Sequence, residues 1–191
     1  MHLGKMNLSD IPDEASELLE DYCDFVVGVE SSGLGMLPSS NKLSYIAGDG
    51  MGGCFYRWMR ELADDGTPIV YLSQYGEASR FATDMNHTLA IVVAFPGYWC
   101  DVLTAVHKNE SLVTQVIDRN EATLDDNEPL SEVRSQLRKL LSITDLNPIP
   151  ELLKVVKTQP QFVPELDNDD GTSACGSFAE RPFPTDRTSN A

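Results

Sequence analysis

The chain has 191 residues, of which 41% are hydrophobic and 23% charged, enough for one globular domain with a sizeable core and an appendage. Its 30 acidic and 14 basic residues leave a formal net charge of −16, which argues against nucleic acid or an anionic membrane as the partner, since Lys and Arg provide most of that binding. The charge favours a basic protein partner, although acidity that serves only solubility would give the same composition.

The chain shows no targeting or membrane signal. Met1–Asp10 lacks a basic run followed by an apolar stretch, so no signal peptide is predicted. The longest apolar stretch, Leu89–Phe95, falls far short of the roughly 20 residues of a membrane-spanning helix. We therefore expect a soluble, cytoplasmic protein. The four cysteines, Cys23, Cys54, Cys100 and Cys175, lack Cys-x-x-Cys spacing, so neither a zinc site nor a disulfide framework is predicted. The first three are expected to be small core residues.

The first predicted element is an amphipathic helix from Asp13 to Val26, with apolar residues at helical spacing. Asp10 is its expected cap, and Pro12 suits the first turn. The opposite face is acidic, and no Lys or Arg lies between residues 10 and 24. This face is either simply solvated or a docking surface, and both interpretations stay open. Its tentative partner-binding residues are Glu17, Glu20, Asp21 and Asp24.

A set of strands follows. Phe25–Val29 either ends the first helix or starts a strand, and Ser31–Gly35 reads as a loop. Glycine-rich or Asp-Asp-Gly-Thr-Pro turns then separate four predicted strands, which are Leu43–Ala47, Cys54–Met59, Pro68–Ser73 and Ala78–Ala82. Because the connections are short, neighbouring strands should be antiparallel. The predicted fold class is α+β, with a mostly antiparallel sheet of about four to six strands flanked by N- and C-terminal helices.

The second half of the chain reads as helical. Asp84 is a candidate cap for a buried helix from Met85 to Phe95. Further helices are predicted around Trp99–His107, Leu112–Ile117, Leu130–Leu141 and Leu152–Val156, with an acidic loop at Glu121–Glu128. We expect one domain over residues 1–160, with a helical extension from about residue 98. Residues 161–191 are too poor in apolar side chains to offset their ordering entropy, which predicts an acidic, flexible tail.

The glycine-rich segment Gly48–Gly53 matches Gly-x-Gly-x-x-Gly, the pattern of a dinucleotide-binding loop. That motif works because a helix begins directly after it and offers N–H groups to a pyrophosphate. Here the next residues, from Cys54, read as a strand, and Asp49 inside the loop would repel phosphate. We therefore expect a structural corner with close backbone packing, and no cofactor.

No other constellation indicates catalysis. Cys100 and His107 are seven residues apart on one predicted helix, which would suit a thiol site or half a metal site, but buried packing is favoured. His87 has no evident partner in the sequence. In Asp167–Gly171 the glycine does not fall where a calcium loop needs it. The sequence therefore predicts that the chain is not an enzyme and holds no metal.

Tyrosine and tryptophan carry much of the energy of protein interfaces, so the aromatic residues are candidate contact residues. Most are expected in the core, and Trp58 and Tyr75 are tentative partner-binding residues. The full set considered is Trp58, Tyr71, Tyr75, Tyr98 and Trp99.

Several segments together resemble a known family. They are Gly-Asp-Gly-Met-Gly-Gly-Cys-Phe-Tyr from Gly48, Pro-Ile-Val-Tyr-Leu from Pro68, the Gly76–Glu77 turn, and Phe-Ala-Thr-Asp-Met-Asn-His-Thr-Leu from Phe81. Over Leu43–Leu103 the chain resembles the SUKH superfamily, which includes Smi/Knr-type fungal cell-wall regulators and many bacterial immunity proteins. The resemblance implies an α+β domain that acts by binding, and the immunity proteins neutralise toxins that are often nucleases.

Three functions from different classes follow. The first is a cytoplasmic, non-catalytic immunity-type protein that binds and neutralises a basic toxin domain. The second is a regulatory or scaffold adaptor that recruits cellular proteins through its acidic helix and C-terminal tail. The third is an enzyme with a ligand near Gly50 or an activity that depends on Cys100, and the sequence favours it least.

Overall fold

The computed structural model describes residues 8–28, 42–59, 67–124, 130–144, 147–158, 165–166 and 173–174. The predicted loop Ser31–Gly35, part of the turn before Pro68 and most of the predicted tail lie outside the described residues. Within the tail, the described residues are two short strands, Glu165–Leu166 (β6) and Ser173–Ala174 (β7), which pair antiparallel.

The main sheet has five antiparallel strands in the order in which they occur along the chain. The strands are Val26–Val27 (β1), Leu43–Gly48 (β2), Cys54–Trp58 (β3), Ile69–Leu72 (β4) and Ala78–Ala82 (β5). Short connections join β2 to β3 and β4 to β5, which is why these neighbours pair antiparallel. The α+β class and the four predicted strands are confirmed. The ambiguous segment after Phe25 forms the two-residue edge strand β1.

Six described helices flank this sheet, all but the first of them after β5 in the chain. They are Asp13–Cys23 (α1), Met85–Ala94 (α2), Trp99–Lys108 (α3), Leu112–Leu124 (α4), Leu130–Leu140 (α5) and Ile149–Lys157 (α6). No single helix among the described residues is long and apolar enough to cross a membrane. The helices α2 and α3 reach that length and composition only together, across a bend of 103°.

Several helix boundaries differ from the prediction. The first helix was predicted to run to Val26 but ends at Cys23, because Asp24 takes a left-handed conformation and Val26 belongs to β1. Asp10 is not the cap of α1, because Pro12 in extended conformation precedes the helix directly and Asp10 lies in a 3₁₀ turn. The helix α4 runs on to Leu124, so Glu121–Leu124 is helical where a loop was predicted. The acidic residue Glu121 is compatible with this helix because it pairs with Arg134 of α5. The predicted cap of α2 is confirmed, since the Asp84 carboxylate accepts the His87 N–H at 3.0 Å.

The core lies between one face of the sheet and the helices. Phe55 of β3 is at its centre, with ring centroids 4.9 to 5.1 Å from those of Phe25, Tyr71, Phe81 and Trp99. The Trp99 indole also donates to the Cys23 carbonyl oxygen at 3.1 Å, which joins the start of α3 to the end of α1. A smaller apolar cluster occupies the other face of the sheet and consists of Leu43, Tyr56, Trp58, Val70, Leu72 and Ala78.

Candidate functional site

The end of α1, the loop between β2 and β3, and the turn between β4 and β5 lie side by side at one end of the sheet. An ideal Cβ on Gly50 would be 2.7 Å from the Asp24 carboxylate, and one on Gly52 would be 3.7 Å from Cβ of Gln74. We call this surface the rim and define it as residues 21–24, 49–53 and 73–77. It is formed there because β2 and β4 run in the same direction in an antiparallel sheet, so their following turns meet at one end.

The carboxylate of Asp49 organises the β2–β3 loop from inside. It is buried, and its oxygens accept the N–H groups of Gly53 at 2.6 Å and Met51 at 2.9 Å. The Tyr71 hydroxyl of β4 donates to the same carboxylate at 2.5 Å. Gly53 is required because a Cβ there would collide with both Asp49 and Tyr71. The loop is therefore fixed to the sheet by a buried carboxylate that accepts three hydrogen bonds.

A second carboxylate, that of Asp24, joins the same loop to α1. Asp24 ends α1 in left-handed conformation, with φ of 54°, and its N–H bonds to the Leu19 carbonyl oxygen. Its side chain accepts the Gly50 N–H at 2.6 Å. Partial burial raises the pKa of Asp24, opposed by the Gly50 hydrogen bond and reinforced by the nearby Asp49 charge. Asp24, predicted as a partner-binding residue, is thus engaged in a contact within the chain.

These bonds decide between the two interpretations of the glycine motif. A phosphate-binding loop needs N–H groups that point at the ligand. Here the N–H groups of Gly50, Met51 and Gly53 all donate to carboxylates of the chain itself. A strand, β3, follows the loop where a nucleotide site requires a helix. The prediction of a structural corner is confirmed.

The β4–β5 turn has its own internal hydrogen bonds. The Ser73 hydroxyl accepts the N–H groups of Tyr75 at 3.2 Å and Glu77 at 3.1 Å, and donates to the Glu77 carboxylate at 3.0 Å. The backbone N–H of Ser73 bonds to the Glu77 carbonyl oxygen, which closes the turn. The side chain of Tyr75 nonetheless stays 67% exposed, and that of Met51 in the neighbouring loop is 57% exposed.

The acidic face of α1 is open to solvent. Glu17, Glu20 and Asp21 are exposed, and among the described residues no Lys, Arg or His nitrogen lies within ion-pair distance of them. Glu14, earlier on the helix, accepts a hydrogen bond from Gln136 of α5 at 2.6 Å. The exposed carboxylates continue towards the rim at the end of α1, so the rim and the acidic face form one connected surface.

The structure brings together only part of the predicted set. Tyr75, Asp21 and Asp24 lie at the rim, with Glu20 just before it on α1. Trp58 ends β3 at the opposite end of the sheet, partly buried, with the Arg80 guanidinium 5.3 Å from its ring centroid. Sequence reasoning missed Met51; an apolar side chain that interrupts a glycine loop was the available signal. The remaining aromatics considered, Tyr71, Tyr98 and Trp99, are buried.

The thiol and imidazole candidates are packed against the core. Burial raises the pKa of the Cys23 thiol to about 12, Cys54 is buried, and Cys100 is half-buried at the edge of the core. His107 Nε2 lies 2.7 Å from the hydroxyl of buried Ser79. That hydroxyl donates to the Arg80 carbonyl oxygen at 2.7 Å, which leaves its oxygen to accept from His107 in the tautomer that carries the proton on Nε2.

The remaining histidine and metal candidates have local explanations. Nδ1 of His87 lies 3.1 Å from the Asp84 carboxylate and 2.7 Å from the Thr83 hydroxyl, within the cap of α2. In the described part of the chain, no group of three His, Cys, Asp or Glu side chains is arranged to hold a metal ion. The segment Asp167–Gly171 lies outside the described residues.

Comparisons with protein-family models, with curated proteins and with solved structures found no match for this chain. The resemblance to the SUKH superfamily accordingly stays a prediction from the segments between Leu43 and Leu103.

Proposed function

We propose that this chain is a non-catalytic protein-binding module of the immunity type, which binds and neutralises a basic, nuclease-like toxin domain in the cytoplasm. The observation that carries the proposal is the exposed acidic face of α1, where Glu17, Glu20 and Asp21 face solvent without a basic neighbour among the described residues. The family resemblance supplies the class of partner. The carboxylates of Asp49 and Asp24 accept the N–H groups of Gly50, Met51 and Gly53, which weakens the competing nucleotide-binding interpretation.

Electrostatics explains why such a pair would bind. A nuclease must present a basic surface to its phosphate substrate. A chain with a net charge of −16 would attract that surface from a distance and accelerate encounter, most strongly at low salt. A complex that covers the basic surface also blocks the substrate, so binding alone is sufficient for neutralisation.

Co-expression tests this function. The chain should protect cells from a toxin encoded beside its gene, and Glu17→Lys with Glu20→Lys should weaken protection. The matched control is Asp118→Lys with Glu132→Lys, which changes the net charge equally at exposed positions of α4 and α5. Loss of protection in both variants would mean that only total charge matters. Failure to bind any product of a neighbouring gene would exclude the immunity function.

The adaptor is the alternative, and the same acidic face would serve it. An adaptor should recover a stable set of cellular proteins in a pull-down, without any toxin among them. If reversing the charges at Glu17, Glu20 and Asp21 left that set unchanged, the acidic helix would not be the recruiting element.

A further inference from the structure

We propose that the rim is the docking surface for a cationic protein segment that carries an apolar side chain, with Met51 and Tyr75 as the apolar anchors. This inference rests on the proposed function and assigns its binding surface. In a docking surface on the acidic helix alone, charge would provide all of the contacts. At the rim, two apolar side chains would make the short-range contacts and the carboxylates around them would provide the long-range attraction.

The rim presents two large apolar side chains to solvent. Among the described residues, the large apolar side chains that are at least half exposed are Met51 at 57%, Met59 at 50% and Tyr75 at 67%. Two of them, Met51 and Tyr75, lie on adjacent loops of the rim, since Gly52 and Gln74 are in near contact. Exposed apolar side chains that are grouped together and rimmed by polar residues are typical of interaction sites.

Hydrogen bonds within the chain order the two loops that carry these side chains. The Met51 N–H is bound by the buried Asp49 carboxylate, and the Tyr75 N–H is bound by the Ser73 hydroxyl. A pre-ordered loop loses little conformational entropy when a partner binds, so more of the contact energy appears as affinity. Tyrosine and methionine are also side chains that interfaces favour.

The negative charge of the rim indicates which kind of partner would dock there. The three rim segments contain Asp21, Asp24, Asp49 and Glu77 and no Lys, Arg or His. An anionic partner would therefore be repelled, and a neutral apolar one would gain nothing from the surrounding carboxylates. A segment with Lys or Arg around an apolar residue matches both features, as the positively charged surface of a nuclease-like toxin would.

A defined peptide tests the surface without knowledge of the natural partner. The probe is a short synthetic peptide of lysines and serines with a central leucine and phenylalanine, and the control peptide has serine at those two positions. Binding is followed through the ¹³C-methyl signals of the six methionines, with those of Met51 and Met59 assigned from serine variants. We expect the probe to shift the Met51 signal and leave that of Met59 unchanged, and to bind more weakly as salt rises.

Matched variants distinguish specific binding at Met51 and Tyr75 from nonspecific apolar binding. Measured by calorimetric titration, Met51→Ser with Tyr75→Ser should weaken probe binding by roughly tenfold or more, whereas Met59→Ser at the opposite end of the sheet should leave it unchanged. The substituted side chains are exposed, so thermal unfolding should show that both variants are folded like the parent chain. Failure of the probe to bind, equal binding of the control peptide, equal loss in the Met59 variant, or shifts away from Met51 would each overturn the proposal.

The two proposals fail in different ways. If the Met51→Ser, Tyr75→Ser variant still protects cells from the toxin as well as the parent chain does, the immunity function holds and the rim is not its docking surface. If the probe binds at the rim but no co-expressed toxin is neutralised, the surface assignment stands and the toxin-neutralising function is wrong.

Discussion

At the scale of single residues, Asp49 shows why a glycine-rich motif must be interpreted together with its own side chains. Its carboxylate accepts the N–H groups of Met51 and Gly53, which a phosphate-binding loop would keep for its ligand, and it is buried against the Tyr71 hydroxyl. The sequence alone argued against a phosphate in this loop, because an acidic residue inside it repels phosphate, but it did not indicate that the carboxylate accepts the loop N–H groups. The Tyr71 partner was not predictable, since the two residues meet only when β4 pairs with β3.

Substitutions at this position should separate the loop bonds from the tyrosine bond. Asp49→Ala leaves several buried donors without an acceptor and should lower the free energy of unfolding by about 3 kcal/mol, and Tyr71→Phe removes one hydroxyl and should lower it by about 1 kcal/mol. Urea unfolding monitored by circular dichroism gives both values. Equal stability of Asp49→Ala and the parent chain would show that the carboxylate does not hold the loop.

At the scale of elements, the side chains of Tyr98, Glu121 and Arg134 join the start of α3 to α4 and α5. The Tyr98 hydroxyl donates to Glu121, and Arg134 donates to both Glu121 carboxylate oxygens, at 2.9 and 2.5 Å. Pairing with Arg134, and then with Tyr98, holds the pKa of Glu121 below its usual value. The acidic composition after Glu121 predicted a loop, because local sequence does not reveal that a helix 13 residues away supplies the cation.

This cluster gives a prediction for low pH. The folded-state pKa of Glu121 lies below the unfolded value of about 4.3, so its contribution to stability is present above that pH and is lost as the pH falls through the folded pKa. A double-mutant cycle of Glu121→Gln and Arg134→Met should give a coupling of about 1 kcal/mol at neutral pH, since the pair is partly exposed. The coupling should disappear in strong acid, and a coupling that survives there would contradict the ionic account.

The packing of α3 on β5 gives a second pH dependence in a different range. Burial lowers the pKa of His107 from 6.5 to about 4, so the folded state binds fewer protons than the unfolded chain between these values. The contribution of His107 to the free energy of unfolding is therefore greatest above pH 6.5. It falls by about 2 to 3 kcal/mol as the pH decreases towards 4. His107→Gln should remove this slope in urea unfolding measured across that range. An unchanged slope in the variant would place the titration elsewhere.

The elements themselves were largely predictable, and the exceptions have physical reasons. Alternation and turn residues located β2 to β5, and helical spacing located α1 to α3, because these patterns follow from burial of one face. The edge strand β1 was ambiguous because two residues carry no periodicity, and it forms only through pairing with β2. Of the candidate contact residues, the sequence could not separate Tyr75 from Trp58, since their positions at opposite ends of the sheet depend on strand direction.

At the scale of the whole molecule, the proposed function depends on where the charge lies as well as on its total. The net charge of −16 would accelerate encounter with any basic partner, but the exposed carboxylates of α1 and the apolar side chains at the rim would determine where the partner settles. Such a surface predicts association that slows as salt rises and a bound state that depends on apolar contacts as well. Only the charge could be inferred from composition, whereas its continuity with Met51 and Tyr75 required the fold.

The most direct test is the affinity of the purified chain for the proteins encoded by the genes beside its own, measured by calorimetric titration at several salt concentrations. The account predicts a one-to-one complex that weakens as salt rises and that loses roughly tenfold or more in affinity with Glu17→Lys and Glu20→Lys. No complex with any neighbouring gene product, or one that neither salt nor these substitutions change, would contradict it.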